Sequence, residues 1–403
     1  MMTSLRPVPV YPTLAACTLR PSANWRRWFP FSEARGMWTF SGRVALYHGL
    51  PLLDLPPKSV ILVPNYHQGV EIDTLLAAGY KLRYYRVGER LEIDMADVAR
   101  QLDAQVSALY VTHYFGFPQP LASIRSFCTA HGLKLIEDCA LSLFSRDGTQ
   151  WLGTEGDIAI FSVYKTVPLP HGGFLVTRVG VPSPTLDTAP FNSTLVQTMD
   201  LINQTLRVTG WGGVERSIGR ATRTAKRMLG WKRTETIQSG GALWDSRLLG
   251  HAASGSVRGW IRLVDRDRVI AHRRRNFRRL AWQLKGLVPY PFADLPAGVC
   301  PLFFPIMVPD KVRFQQDLAA MGVESVNLWD ASHPSCPADL AAEVAHWRAH
   351  CLELPIHQEL EERTIDRVAA AVSAVWERHH SGATRTVVIE NANLEEKLLS
   401  MSM

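Results

Sequence analysis

The sequence predicts an α/β protein: a mostly parallel central sheet sandwiched by helices, followed by a smaller C-terminal α/β unit. Three observations carry that expectation. Between residues 59 and 140, short apolar β-rich runs alternate with stretches of helical periodicity, as in a parallel sheet covered on both faces. Two β-like runs then follow each other with no helix between them, which marks a change of direction within the sheet. From Arg258 the alternation restarts, and 403 residues are more than one core comfortably supports.

Taken in order, the expected strands are Ser59–Val63, Leu82–Val87, Ala108–Tyr114 and Lys134–Glu137, with helices over Val70–Ala78, Met95–Leu102 and Leu121–His131. Asp157–Tyr164 and Gly173–Thr177 are the two adjacent runs. A long basic amphipathic helix from Arg258 to Lys285 opens the second unit. A strand near Leu302–Val308, a helix near Lys311–Met321 and a final helix over Glu359–Arg378 complete it. Residues 1–255 then form a large unit with an N-terminal arm, 256–382 a small unit, and 383–403 a flexible tail.

Composition narrows the function classes. Hydrophobic residues make up 46% and charged residues 20%, an ordinary globular balance, while the net charge is +7. That excess is local. Arg207–Lys285 holds nineteen basic and five acidic residues, and the rest of the chain holds 25 basic and 32 acidic. Arg216, Arg220, Arg223 and Arg227 fall at helical spacing, and Arg273–Arg279 is a second cluster. A solvated helix face is the first reading, a positive rim for an anionic substrate the second; nucleic acid is not expected as a partner. Six cysteines lie far apart with no C-x-x-C pair, which argues against a metal knuckle or disulfide scaffold and for a reducing compartment. The longest apolar runs are strand-sized, so no membrane span is expected. Leu14-Ala15-Ala16-Cys17 imitates a lipoprotein cleavage site, but Pro7, Pro9 and Pro12 break the segment before it. A cytoplasmic location is the expectation.

Ligands of open α/β sheets bind beyond the carboxyl ends of the strands. There the sequence places Asn65-Tyr66-His67-Gln68, His113-Tyr114-Phe115-Gly116, Asp138, and Ser162 through Lys165. Asp138 reads as a helix N-cap or as the partner of a ligand cation. Lys165 reads as a solvated loop lysine or as a nucleophile and base in an apolar cleft. Singly, each of these has an ordinary structural explanation.

Their order resembles that of the DegT/StrS-type nucleotide-sugar aminotransferases, fold-type-I enzymes that use pyridoxal 5'-phosphate. Ser41-Gly42-Arg43-Val44-Ala45-Leu46 resembles S-G-T-x-A-L, a helix-opening turn that holds the cofactor phosphate, and a helix N-terminus suits an anion. Val63-Pro64-Asn65-Tyr66-His67 is similar to V-P-x-x-T, and Thr112-His113-Tyr114-Phe115-Gly116 to V-H-L-Y-G. Glu137-Asp138-Cys139-Ala140 resembles E-D-A-A. Gly156-Asp157, Phe161-Ser162 and Lys165 followed by Gly172-Gly173 resemble G-D…F-S-F…K…G-G, and Leu354-Pro355-Ile356-His357 resembles L-P-L-H.

The resemblance implies roles. Lys165 is the Schiff-base lysine and proton carrier, and Asp138 pairs with the cofactor's ring nitrogen. Ser41, Gly42, Arg43 and Ser162 hold its phosphate, and His67 or Tyr66 stands in for the stacking ring, because Gln68 fills the usual aromatic position. His113 and His333 are candidates for substrate contact, with ordinary loop or core roles as the alternative. The implied reaction moves an amino group, from glutamate in most of the family, to a keto group of a nucleotide-linked sugar for polysaccharide or glycan biosynthesis, in a homodimer. The sequence departs from the family in four further places, the first being Arg43 where the family has threonine. The loop before Lys165 is two residues shorter, Leu141 replaces a glutamine, and the asparagine given by a neighbouring subunit has Asp245 as its nearest counterpart. These departures keep two alternatives open: a non-catalytic scaffold or regulatory protein on this fold, and another pyridoxal-dependent sugar reaction. A sugar dehydratase is disfavoured, since that branch replaces the lysine with histidine.

Overall fold

The computed structural model describes residues 6–14, 25–182, 185–210, 212–228 and 246–380. The expected tail over 383–403 lies outside the described residues, as do Asp245 and Cys17. The first half of the chain runs β1 (Met37–Thr39), α1 (Gly42–Gly49), β2 (Val60–Pro64), α2 (Val70–Ala77), β3 (Lys81–Tyr85), α3 (Met95–Arg100), β4 (Val106–Thr112) and α4 (Leu121–Ala130). It continues through β5 (Lys134–Asp138), the short hairpin β6 (Arg146–Asp147) and β7 (Gln150–Trp151), β8 (Ile158–Ser162), α5 (Val163–Thr166) and β9 (Gly173–Thr177). A helical pair follows, α6 (Phe191–Thr209) and α7 (Gly212–Met228). Then come α8 (Gly255–Trp260), α9 (Arg266–Gln283), β10 (Phe304–Met307), α10 (Lys311–Ala320), α11 (Ala338–Glu343), α12 (Ala345–His350) and β11 (Cys351–Leu354). A last helix, α13, spans 362–380.

Seven strands form the main sheet in the order β1-β9-β8-β5-β4-β2-β3. β3, β2, β4, β5 and β8 are parallel, whereas β9 runs antiparallel to β8, and β1 antiparallel to β9. The change of direction read from the adjacent runs is the β8–β9 pair, but the single turn α5 stands between them where the sequence predicts no helix, taking Val163 and Tyr164 from the first run. The strands that end at the site explain themselves chemically. β2, β8 and β9 are buried at every residue, so their sequences are continuous apolar runs rather than alternations. The sheet edges are short or charged: β1 has three residues, and β3 opens on exposed Lys81.

β10 and β11 form a separate antiparallel pair. One apolar cluster runs from Leu62 and Val111 of the main sheet through Phe277 of α9 to Phe304, Leu352 and Val372. Further on, Val257, Ile261 and Val269 pack with Phe161 and Phe174 of the main sheet, so its apolar contacts continue past residue 255.

The single helix expected over Arg258–Lys285 is two. Asp265 accepts the Arg268 N–H at 3.0 Å as an N-cap, which ends the 3-10 turn Ile261–Leu263 and starts α9 afresh. Nor is the Arg273–Arg279 cluster a solvated face. Arg273 and Arg274 are buried. Arg273 donates to the carbonyls of Leu302 (2.7 Å) and Thr166 (3.0 Å), while Arg279 forms a two-pronged pair with Asp366 at 2.6 and 2.8 Å. Arg220, Arg223 and Arg227 of α7 are exposed, as helical spacing implied. Among the described residues, no helix is long and apolar enough to cross a membrane.

Candidate active site

The start of α1, the carboxyl ends of β5 and β8, and the single turn α5 converge on a cavity of about 420 Å³. Six of the residues singled out from sequence line it together: Ser41, Gly42, Arg43, Asp138, Ser162 and Lys165.

The α1 corner is built for close approach. A Cβ on Gly42 would lie 2.6 Å from Ser162 Oγ, and one on Gly173 would lie 2.2 Å from the Ser41 carbonyl. Both positions therefore exclude a side chain. Ser41 occupies the N-cap position yet makes no capping bond, and its buried Oγ has no hydrogen-bond partner. A buried hydroxyl left unpaired beside a helix's first N–H groups is suited to an anion.

Asp138 ends β5 and is buried. Its Oδ2 accepts from Tyr110 Oη at 2.8 Å and its Oδ1 from the Ala140 N–H at 2.8 Å. Burial pushes the carboxyl upward, against the pull of these bonds and of Lys165. A cation placed beside it would favour the charged form.

Lys165 sits in α5 and is 6% exposed. The turn has little support of its own, with Val167 N–H bonding to Val163 O at 3.2 Å. It is held from outside. The Thr166 carbonyl accepts from Arg273 Nη2 at 3.0 Å and from Gln358 Nε2 at 3.2 Å.

The remaining sequence candidates lie elsewhere. His67 does not line the cavity; Gln68 does. The His67 ring is fully buried, with Nδ1 on the Pro64 carbonyl (3.1 Å) and Nε2 accepting the His333 N–H (3.0 Å). Burial, aided by Arg348, lowers its pKa to about 3, so it is a neutral structural ring. Tyr66 is likewise buried away from the cavity, against Tyr114 and Trp329. His113 is absorbed behind β5, where it faces Glu137 at 3.2 Å and accepts the Gln119 N–H at 3.1 Å. Glu137 also accepts backbone N–H bonds from Gly153 and Glu155, at 2.7 Å each, and from Gly156. His333 pairs with Asp73 at 3.0 Å and Ser335 at 2.7 Å. Neither His113 nor His333 borders the cavity.

Several lining residues escape sequence reasoning. Tyr110 supports Asp138 from the neighbouring strand, hidden in an apolar run. Glu71, in the first turn of α2, accepts the Gln68 N–H at 2.8 Å and is pushed up to about 7 by burial and then by the charge of Asp138. The same cavity has a polar wall: Gln197, Asp200 and Gln204 from α6, with Gln315, Ser325 and Asn327. The i, i+3, i+7 spacing in α6 is its only trace in the sequence.

Residues 33–180 match the model of the DegT/DnrJ/EryC1/StrS aminotransferase family. Among curated proteins, GDP-perosamine synthase of Vibrio cholerae is 29% identical over 141 residues, covering 34% of this chain and 38% of the relative. The UDP-N-acetyl-3-dehydro-alpha-D-glucosamine 3-aminotransferase of Acidithiobacillus ferrooxidans is 28% identical over 148 residues, 36% of this chain and 40% of that one. The dTDP-4-dehydro-2,3,6-trideoxy-D-glucose 4-aminotransferase of Saccharopolyspora spinosa is 32% identical over 123 residues, 30% and 32%. The matches thus span about two fifths or less of these relatives' length. Among solved structures, the sugar aminotransferase CalS13 of Micromonospora echinospora aligns over 92% of this chain and all of its own, with TM-score 0.60 and 18% identity. NtdA of Bacillus subtilis, solved with bound PMP, aligns over 90% and 79%, with TM-score 0.56 and 16% identity. Residues 33–180, which contain Asp138 and Lys165, therefore carry the DegT/DnrJ/EryC1/StrS aminotransferase family signature, in a chain that has the sugar-aminotransferase fold.

Proposed function

We propose that this chain is a pyridoxal-phosphate-dependent aminotransferase that moves an amino group, from glutamate, onto the keto carbon of a nucleotide-linked sugar. The carrying observation is the convergence of Lys165 and Asp138 with the α1 N-terminus on one cavity. The residues present fit the cofactor. The unpaired Ser41 hydroxyl and the two positions closed to a Cβ make a cradle for its phosphate, with Arg43 and Ser162 alongside. Asp138, held by Tyr110 and Ala140, suits a protonated ring nitrogen.

When bound, pyridoxal phosphate supplies a reversible covalent link to an amine and an electron sink for the neighbouring C–H bond. The chain supplies position and proton handling. Lys165 Nζ offers the primary amine and, once released, takes and returns a proton at the reacting carbon. The carboxylate of Asp138 holds a positive charge where burial would otherwise disfavour it. The apolar side chains of Leu46, Val70 and Ile160 narrow the cavity around these groups and exclude water. A homodimer in the cytoplasm is part of the same reading.

The test uses the full chain loaded with pyridoxal phosphate. Borohydride reduction should fix one pyridoxyl group on Lys165, read by peptide mass, and Lys165→Ala should abolish it. Glutamate should change the visible spectrum, and a keto-sugar nucleotide should restore it. A wild-type protein that gains no adduct on Lys165 would sink the assignment.

A further inference from the structure

We propose that the polar wall of the cavity that holds Lys165 reads the ring oxygens of the acceptor, so that the enzyme selects hydroxyl- or acetamido-bearing keto sugars over deoxygenated ones. The inference rests on the aminotransferase reading of the cavity and names the substrate class within it.

The wall has two sides. Gln197, Asp200 and Gln204 repeat at i, i+3 and i+7, the spacing of one helix face, and all three line the cavity. Leu201, between them, packs into the same boundary. The other side is the segment Ser325–Asn327. It is pinned to β11 by a reciprocal backbone pair, Val326 N–H to Glu353 O at 2.9 Å and Glu353 N–H to Val326 O at 3.0 Å. Gln315 Nε2 donates to the Ser325 carbonyl at 2.7 Å and fixes it further.

Three polar atoms of this wall are buried without a hydrogen-bond partner: Gln197 Oε1, Ser325 Oγ and Asn327 Oδ1. Asn327 as a whole is only 7% exposed. Buried polar atoms cost stability unless a partner meets them, and a ligand is the partner that a cavity wall admits. The chemistry of the set then identifies the ligand. Amides both donate and accept, hydroxyls do the same, and a carboxylate accepts from hydroxyls. Such a set matches a neutral, oxygen-rich ring. Phosphate calls instead for guanidinium or ammonium groups, which in this cavity are Arg43 and Lys165 and not members of this set.

Deoxygenation removes the partner and leaves these atoms unpaired inside the complex. A site built around hydroxyls rejects an analogue lacking them by large factors, far more than an apolar pocket rejects an added group. The test is a matched pair that differs only at two ring carbons: dTDP-4-dehydro-6-deoxy-D-glucose, which carries the 2- and 3-hydroxyls, and its 2,3-dideoxy counterpart. Binding of each is measured by calorimetry on the full chain without cofactor, and kcat/KM on the loaded enzyme. We expect the hydroxylated sugar to bind at least tenfold more tightly, with a preference of about 100-fold or more in kcat/KM. Gln197→Leu and Asn327→Leu should each lower that preference about tenfold. Equal binding of the two sugars by the wild type overturns the inference, whatever the variants do. So does a preference that survives in variants whose melting curves show them folded. Failure of the parent reading is recognised separately, by the absence of a pyridoxyl adduct on Lys165.

Discussion

At the scale of single residues, Glu71 shows how neighbours set a charge. Its carboxyl is buried beside Asp138, and burial followed by that charge raises it from 4.5 to about 7. A folded-state pKa above the unfolded value means that the proton is bound more tightly in the native state. The associated stability is intact below pH 4.5 and is lost as pH rises through about 7, a difference of about 3 kcal/mol. Glu71→Gln keeps an acceptor for the Gln68 N–H and removes the titration. Urea unfolding of cofactor-free protein should therefore find the variant equal to wild type near pH 4.5 and more stable by up to that amount at pH 8; parallel curves would refute the assignment. Tyr110→Phe addresses the neighbouring carboxyl. Losing one hydrogen bond to Asp138 should weaken cofactor retention about tenfold, measured by dialysis against free cofactor. Asp138 and Lys165 are legible in the sequence because strand ends mark where a parallel sheet presents its ligands. His67, His113 and His333 mislead for a related reason. A histidine after a strand has two ring nitrogens to satisfy, and here backbone and carboxylate partners inside the core take them.

Among the elements, α5 depends most on its surroundings. One turn of helix is not self-supporting, since a nucleus fixes several residues for a single hydrogen bond. Pro168 and Pro170 follow and bring no N–H groups. The turn is held by Arg273 and Gln358, themselves joined at 2.9 Å, both donating to the Thr166 carbonyl. Arg273 is buried and donates to uncharged oxygens of Gln358, Pro301, Leu302 and Thr166, so its removal leaves several carbonyls unpaired. Arg273→Met should cost about 3 kcal/mol in denaturant unfolding. Gln358→Leu is the milder probe: it should slow borohydride trapping of Lys165 severalfold while costing about 1 kcal/mol. A trapping rate equal to wild type in both variants would assign them a purely structural role. The strands and helices of the first half are legible because burial on both faces writes continuous apolar runs. The broken helix at Asp265 is not, because the aspartate that caps α9 reads in a periodic pattern as one more surface charge.

For the whole molecule, Arg348 joins what the sequence separates. Its guanidinium donates to the carbonyls of Trp329 (2.9 Å), Ala331 (2.8 Å), His67 (3.2 Å) and Asn65 (3.2 Å), and its Cζ lies 5.1 Å from the Tyr66 ring centre. It thus ties the loop after β2 to the C-terminal half. Arg348→Met should lower stability by about 3 kcal/mol in urea unfolding, with the His67 ring becoming titratable by NMR as its shell loosens. Sequence reasoning does not reach such clamps, which depend on side chains hundreds of positions apart. It misreads the basic segment for a related reason, because most acceptors of Arg273 and Arg274 are backbone carbonyls that carry no signal in the composition.

The position of α6 has a consequence for how the proposed activity could be altered. Asp138 and Lys165 lie inside residues 33–180, whereas Gln197, Asp200 and Gln204 lie on one uninterrupted helix after that segment. On the proposed reading, bond-making and acceptor choice are therefore written in separable stretches of the gene, the second completed by Gln315 and Ser325–Asn327. Exchanging 191–209 as a cassette should then shift acceptor preference while leaving Asp138 and Lys165 in place.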